Sequence, residues 1–181
     1  MVTLSILIPT LNTRKGLLDN LLTNLKAQLV ELNTKQVEIL TYPDNGELPT
    51  GTKRNQLLKR AKGKYVVFVD DDDIIPGYYI EEILKGAISD CDSMAINGIM
   101  PTNRVYTWDI RQGNPYSQIG NHFLRYPNHI TPIKRKHAIK IKFPEITIGE
   151  DFQWATDLKD AGLLQTEYII EKPMYIYKPS K

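Results

Sequence analysis

Tyr65-Val66-Val67-Phe68-Val69-Asp70-Asp71-Asp72-Asp73 is the stretch that decides the fold. Five β-branched or aromatic residues in a row predict a strand buried on both faces, as in a parallel sheet. Four aspartates follow with no spacer. Carboxylates set side by side repel one another, and their pKa values rise unless something neutralises them. The next residues, Ile74-Ile75-Pro76, also favour burial, so the acids are held between two apolar segments. A hard divalent cation such as Mg²⁺ or Mn²⁺ suits oxygen ligands of this kind and keeps positions for water or phosphate. A solvated acidic loop is the alternative.

The same strand signal recurs upstream. Leu4-Ser5-Ile6-Leu7-Ile8 reads as a strand ending at Pro9-Thr10, and Val37 to Tyr42 as another ending in the turn Pro43-Asp44-Asn45-Gly46. Between them Leu17, Leu18, Leu21, Leu22, Leu25, Leu29 and Leu32 recur at helical steps. Thr52 to Ala61 predicts a second helix stopping near Gly63, and Tyr78 to Ile88 a third after Pro76. Strands alternating with helices predict parallel strands covered by helices, with ligands at the carboxyl ends of the strands. Pro9-Thr10, Asp44 and the aspartate run then meet at one sheet edge.

The second half is less regular. Ser93 to Met100, Arg104 to Ile110 and His129 to Ile133 read as strands, Gly149 to Ala161 as a helix, and Tyr168 to Tyr177 as a strand broken by Pro173. A polar loop containing Gly113, Asn114, Pro115 and Gly120 lies between. The 181 residues fit one domain, with a regular first half over 1–100 and a less regular second half over 101–181. One cysteine, Cys91, excludes an internal disulfide framework and a four-cysteine zinc site. The net charge of +2 does not by itself argue for nucleic acid. Lys134-Arg135-Lys136 is either a local basic patch or a solvated loop. No apolar run approaches the roughly twenty residues of a membrane span. No targeting segment is visible, so the expected location is the cytoplasm.

Taken in order, Ser5-Ile6-Leu7-Ile8-Pro9-Thr10-Leu11-Asn12, Asp44, Gly51-Thr52-Lys53-Arg54-Asn55, Gly63 to Asp73 and Gly149-Glu150-Asp151 resemble a family 2 glycosyltransferase with the glycosyltransferase A fold. The fold expected from that resemblance is a Rossmann-like, mostly parallel α/β sheet flanked by helices. The activity it implies is metal-dependent, inverting transfer of a sugar from a nucleotide diphosphate, UDP-sugar favoured, to a hydroxyl on a glycan or other acceptor.

The resemblance also implies roles, with 1–100 as the nucleotide-sugar-binding half and 101–181 as the acceptor and catalytic-base half. Pro9, Thr10 and Asn12 would line the nucleotide. Asp44 would accept from the base, or is a plain turn residue. Lys53, Arg54 and Asn55 open a helix, where a phosphate is favoured, or lie on its solvent face. Asp70 and Asp71 would serve the nucleotide sugar, with Asp71 on the ribose, and Asp72 the metal, in a register open by one residue. Asp73 would cap the segment leading to the next helix. Asp151 would be the general base beside Glu150, or both acids favour the helix dipole.

The chain departs from processive synthases. It has no Gln-x-x-Arg-Trp motif, and Glu150-Asp151-Phe152-Gln153-Trp154 stands in its place. Trp108, Asp109, Arg111, Tyr116 and His122 are candidates for an acceptor groove, though Trp108 equally suits the core. His129 is either a helper or a structural histidine. Transfer to hydroxylated bases of nucleic acid, which the Lys/Arg-rich stretch from Arg125 to Lys142 allows, and a non-catalytic nucleotide-binding module are the alternatives. A nucleotidyltransferase fits less well, because Pro9-Thr10-Leu11-Asn12 stands where its Gly-rich loop belongs. A receiver domain would carry its acidic pair after the first strand rather than the third.

Overall fold

The computed structural model describes residues 1–99, 104–112 and 116–176. The strands are β1 (Leu4–Leu11), β2 (Val37–Asp44), β3 (Tyr65–Phe68), β4 (Ser93–Ile99), β5 (Val105–Trp108), β6 (Tyr116–Ile119), β7 (His122–Arg125), β8 (Ile133–Lys134) and β9 (Glu167–Ile176). The helices are α1 (Lys15–Glu31), α2 (Thr50–Arg60), α3 (Tyr79–Ala87), α4 (Arg135–Ala138) and α5 (Glu150–Asp160). One mixed sheet runs β2-β1-β3-β8-β4-β5-β7-β6, with β9 parallel to β4. β1 pairs in parallel with both β2 and β3, so the three predicted strand ends do share one edge.

Period-two alternation divides the core between two faces. Leu4, Ile6 and Ile8 of β1, with Tyr65, Val67 and Val69, pack under α1 and α3 against Leu21, Leu25, Ile80 and Ile83. Leu7, Val66 and Phe68 point the other way, to Leu57, Leu58, Trp154 and Leu158 of α2 and α5. Covering both faces is what an apolar parallel sheet requires. Each fully buried Leu, Ile or Val contributes about 1.5–3 kcal/mol relative to exposure.

Two glycines position the second half. A Cβ on Gly51 would sit 1.8 Å from the Pro144 carbonyl oxygen, and Gly51 N–H donates to Ile146 O at 3.0 Å. The first turn of α2 therefore lies directly on the loop that leads to α5. Gly149 has φ +83°, a left-handed conformation that glycine adopts without strain, and it turns the chain into α5.

The structure departs from the sequence expectations mainly after residue 99. β6 and β7 form an antiparallel hairpin where a polar loop was expected. The strand expected at His129–Ile133 shrinks to Ile133–Lys134, followed by the short helix α4. Asp73 caps no helix. It closes a turn with Asp70, its carboxylate accepting from Asp70 N–H at 3.0 Å and from the Tyr175 hydroxyl. Met100, Gly113, Asn114, Pro115 and Tyr177 of those expectations lie outside the described residues.

Candidate active site

The aspartates after β3 point in different directions and meet different partners. Asp70 receives two bonds from Arg54 Nη2, at 3.0 and 3.2 Å, and lies 3.5 Å from His129 Nε2. Burial alone would raise its pKa. The Arg54 charge, with the His129 ring beside it, outweighs that and holds the carboxyl far below the usual range. Asp71 is buried and accepts from the Thr10 hydroxyl. Burial raises its carboxyl in spite of Thr10 and Arg14, with Asp72 and Asp70 adding repulsion. Asp72 is the exposed member, with 44% of its side chain accessible. Asp73 is pushed up to about 8 by burial and by Asp70.

Arg14, unremarked in the sequence, spans this edge. Its Nη2 lies 2.8 Å from Asp71 Oδ1 and 2.6 Å from Asp72 Oδ2. A cation thus already stands across the two carboxylates, and Asp71 Oδ1 has no well-aligned hydrogen-bond donor. Among the described residues no cluster of three or more His, Cys, Asp or Glu could hold a metal. Two carboxylate oxygens with the rest of the shell left to water or phosphate is a donor set that suits Mg²⁺ or Mn²⁺.

The residues expected to meet the donor are placed unevenly. Pro9 and Thr10 end β1 and are buried, while Asn12 is exposed and donates to Asn45 Oδ1 at 2.7 Å. Lys53 is buried, and its Nζ donates to Thr10 O and to Asp44 Oδ1 at 3.0 and 2.8 Å. Asp44 also accepts from Leu48 N–H, so both oxygens are engaged. Burial would raise the Asp44 carboxyl, but the Lys53 bond and the Leu48 and Gly46 amides bring it below its ordinary value.

Arg54 is buried between Asp70 and Glu150, its Nε 3.2 Å from Glu150 Oε1, with the guanidinium over the Phe68 ring. Asn55 exchanges two bonds with the backbone of Phe143, both 2.9 Å. Lys53, Arg54 and Asn55 therefore hold the site's framework, although Arg54 Nη1 has no hydrogen-bond partner among the described residues. Glu150 is likewise committed to Arg54.

Asp151 stands on the first turn of α5 with Oδ2 3.7 Å from His129 Nδ1. His129 thus lies between Asp70 and Asp151. Beside them opens a cavity of about 320 Å³, lined in part by Tyr106, Trp108, Tyr116, Arg125, Asn128 and His129. Of the expected acceptor residues, Trp108, Tyr116 and His129 line it. Arg111 does not, since its guanidinium is taken by Asp109 at 2.9 Å and Glu167 at 3.3 Å. His122 is exposed and bonds Thr107 Oγ1 at 2.8 Å.

Tyr106, Arg125 and Asn128 were not foreseen, because His122-Phe123-Leu124-Arg125 places its two apolar residues side by side and shows no period-two alternation. The basic run is dispersed. Arg125 faces the cavity, whereas Lys134 is buried at the amino end of the sheet with Asp90 and Asp92.

A solved structure of S. aureus TarS 1-349 superposes with TM-score 0.64 at 19% identity, covering 97% of this chain and 60% of that one. The mannosyltransferase PcManGT from Pyrobaculum calidifontis, in complex with GDP-Man and Mn²⁺, gives 0.60 at 13% identity, covering 96% of this chain and 56% of that one. Glucosyl-3-phosphoglycerate synthase from Mycobacterium tuberculosis, with Mn²⁺, UDP and phosphoglyceric acid, gives 0.63 at 12%, covering 99% and 72%. At such identities the likeness is one of fold. The chain spans about 60% of the length of the TarS 1-349 structure. No curated protein sequence matches it. The sequence profile of glycosyl transferase family 2 matches residues 50–155, from the helix that carries Arg54 through the helix that carries Asp151, and the chain belongs to that family.

Proposed function

We propose that the chain transfers a sugar from a nucleotide-diphosphate donor, UDP-sugar by preference, to a hydroxyl acceptor with inversion at the anomeric carbon. The observation that carries this reading is the shared edge on which Thr10, Asp71, Asp72 and Arg14 stand beside the cavity of Asp151. Family membership supports the sugar-transfer class. The neighbour in complex with GDP-Man and Mn²⁺ supports a nucleotide sugar and a divalent ion as ligands.

Asp72, with Asp71 beside it, would hold Mg²⁺ or Mn²⁺. Bound there, the ion supplies charge neutralisation for the departing diphosphate. The other steps belong to side chains. Arg14 is the half-buried cation of this edge, in the place earlier given to Lys53 and Arg54. Asp151 takes the proton from the acceptor hydroxyl as that oxygen attacks the anomeric carbon. A base must lie within hydrogen-bond reach of its proton, and the cavity at Asp151 is where an acceptor hydroxyl fits. His129 has its ring between Asp151 and Asp70, 3.7 Å from one and 3.5 Å from the other.

A nucleic-acid acceptor has no comparable observation in its favour, because the basic run does not form one face. The deciding experiment screens UDP-, GDP- and dTDP-sugars, with and without Mn²⁺, for thermal stabilisation. A ligand that binds only the native state raises its apparent stability, by about 2.7 kcal/mol at a hundredfold excess over Kd. A metal-dependent shift with UDP-sugars is expected. No shift with any donor would overturn the reading.

A further inference from the structure

We infer that the cavity beside Asp151 takes an acceptor bearing an anionic group, phosphate or carboxylate, and that Arg125 selects it. This deepens the reading of the chain as a sugar transferase and rests on it. Arg125 ends β7, half-buried, with its guanidinium 4.2 Å from the centre of the Tyr116 ring, 5.4 Å from Phe123 and 5.5 Å from Tyr106. Its Nη1 donates to Ser117 O and Leu124 O at 3.1 and 3.0 Å. Those bonds leave Nη2 and Nε without a protein partner among the described residues.

No carboxylate of the described residues lies within ion-pair range of Arg125. The remaining residues, 100–103, 113–115 and 177–181, contain no Asp or Glu. The chain's fully buried cations are treated differently: Lys53, Arg54 and Lys134 each meet a carboxylate. A guanidinium withdrawn from water calls for a counter-charge, and stacking on aromatic faces offsets only part of that need. The same stacking fixes the planar fork, which matches carboxylate or phosphate oxygens two at a time.

The cavity is also polar along its length. Tyr116 has its ring on Arg125, while its hydroxyl, pushed up to about 12 by burial, also feels the Asp151 charge. Asp70 and Asp151 repel an anion from their end. An acceptor would then lie with its hydroxyl toward Asp151 and its anionic group toward Arg125, both of which line the cavity.

The test is calorimetric titration of the full chain with glucose, glucuronate and glucose 6-phosphate at fixed ionic strength. These are neutral, carboxylate and phosphate forms of one hexose. At least tenfold tighter binding of one or both anions over glucose is expected, and the stronger of the two identifies the group. Arg125→Gln should bring the preference within twofold. No preference in the unmodified chain, or a preference that survives Arg125→Gln, would overturn the inference. If Arg125→Gln also lowers the melting point, Arg125→Lys decides, since it keeps the charge without the fork. Preference retained threefold or more supports the inference, and none retained refutes it. Stabilisation by UDP is measured on every variant. Its absence in the unmodified chain breaks the donor reading, whereas the hexose series reports on Arg125 alone.

Discussion

The sheet carries a charge cluster at each end of β3 and β4, and the two have been settled in opposite ways. At the amino end Asp90 takes Lys64 and Lys134, both at 2.9 Å, and Asp92 takes His137 at 3.0 Å and Lys134 at 3.6 Å. Both carboxyls fall to about 2: Asp90 chiefly through the Lys134 and Lys64 bonds, Asp92 because the Gln165 amide, His137 and Thr166 outweigh burial. At the carboxyl end burial and mutual repulsion raise Asp71 and push Asp73 to about 8, although Arg14 is at hand. A cluster whose charges are satisfied is structure. On the proposed reading, one whose carboxyls are still displaced upward is waiting for a cation or a substrate.

The sharpest break of that comparison comes from removing one carboxylate at the waiting end. Asp151→Asn keeps the shape of α5 and deletes the proposed base. Transfer should fall about 10²–10⁴-fold, the usual share of general base catalysis, while stabilisation by UDP stays as in the unmodified chain. Transfer within threefold of the original rate would remove Asp151 from the chemistry.

Arg54 tests the boundary between the two kinds of cluster, since it is a settled charge inside the waiting end. Arg54→Met leaves Asp70 and Glu150 facing a vacated guanidinium site. Breaking a buried pair by losing one partner costs about 3–5 kcal/mol, and at roughly 2–4 °C per kcal/mol the melting point should fall by about 10 °C. Adding Glu150→Leu should recover part of the loss. A neutral Arg54→Met would mean that Arg54 is not the keystone its contacts suggest.

Much of this contrast was open to a reader of the sequence, and much was not. Apolar runs at β1 and β3 and leucine spacing in α1 are local patterns, so they announce the doubly covered sheet. The Asp70 to Asp73 run announces its own charge problem. Pairings between distant residues do not announce themselves. Arg54 and Glu150 are 96 positions apart, and nothing local separates a buried ion pair from two surface charges. Lys53 looked free because α2 is polar overall, yet the close approach at Gly51 draws that face inward. The β6–β7 hairpin was hidden by short strands with polar residues on both faces. Arg125 was concealed in turn among the other cations of the stretch to Lys142.

At the settled end the effect is smaller and depends on pH. The folded carboxyl of Asp92 is lowered from 3.8 to about 2, so its stabilisation is present above about pH 4 and is lost as pH falls through about 2. Two units would be worth roughly 2.5 kcal/mol. Partial screening by solvent reduces that to about 1 kcal/mol. Asp92→Asn should therefore melt lower at pH 6 and match the unmodified chain near pH 2, with UDP binding at pH 7 unchanged. Equal melting points at pH 6 would show that the amino-end cluster stabilises nothing.

The smallest effect tests whether Arg14 stands in for a cation. Its fork holds Asp71 and Asp72 at 2.8 and 2.6 Å, so a divalent ion arriving without nucleotide has to displace it. Half-exposed ion pairs are worth about 0.2–1 kcal/mol, so Arg14→Gln should tighten Mn²⁺ binding by about threefold. The paramagnetic resonance signal of free Mn²⁺ reads this directly, with no sugar transfer involved. Weaker Mn²⁺ binding in Arg14→Gln would mean that Arg14 assembles the two carboxylates rather than competing for them. The carboxyl end would then resemble the amino end, with its charges already answered by the protein.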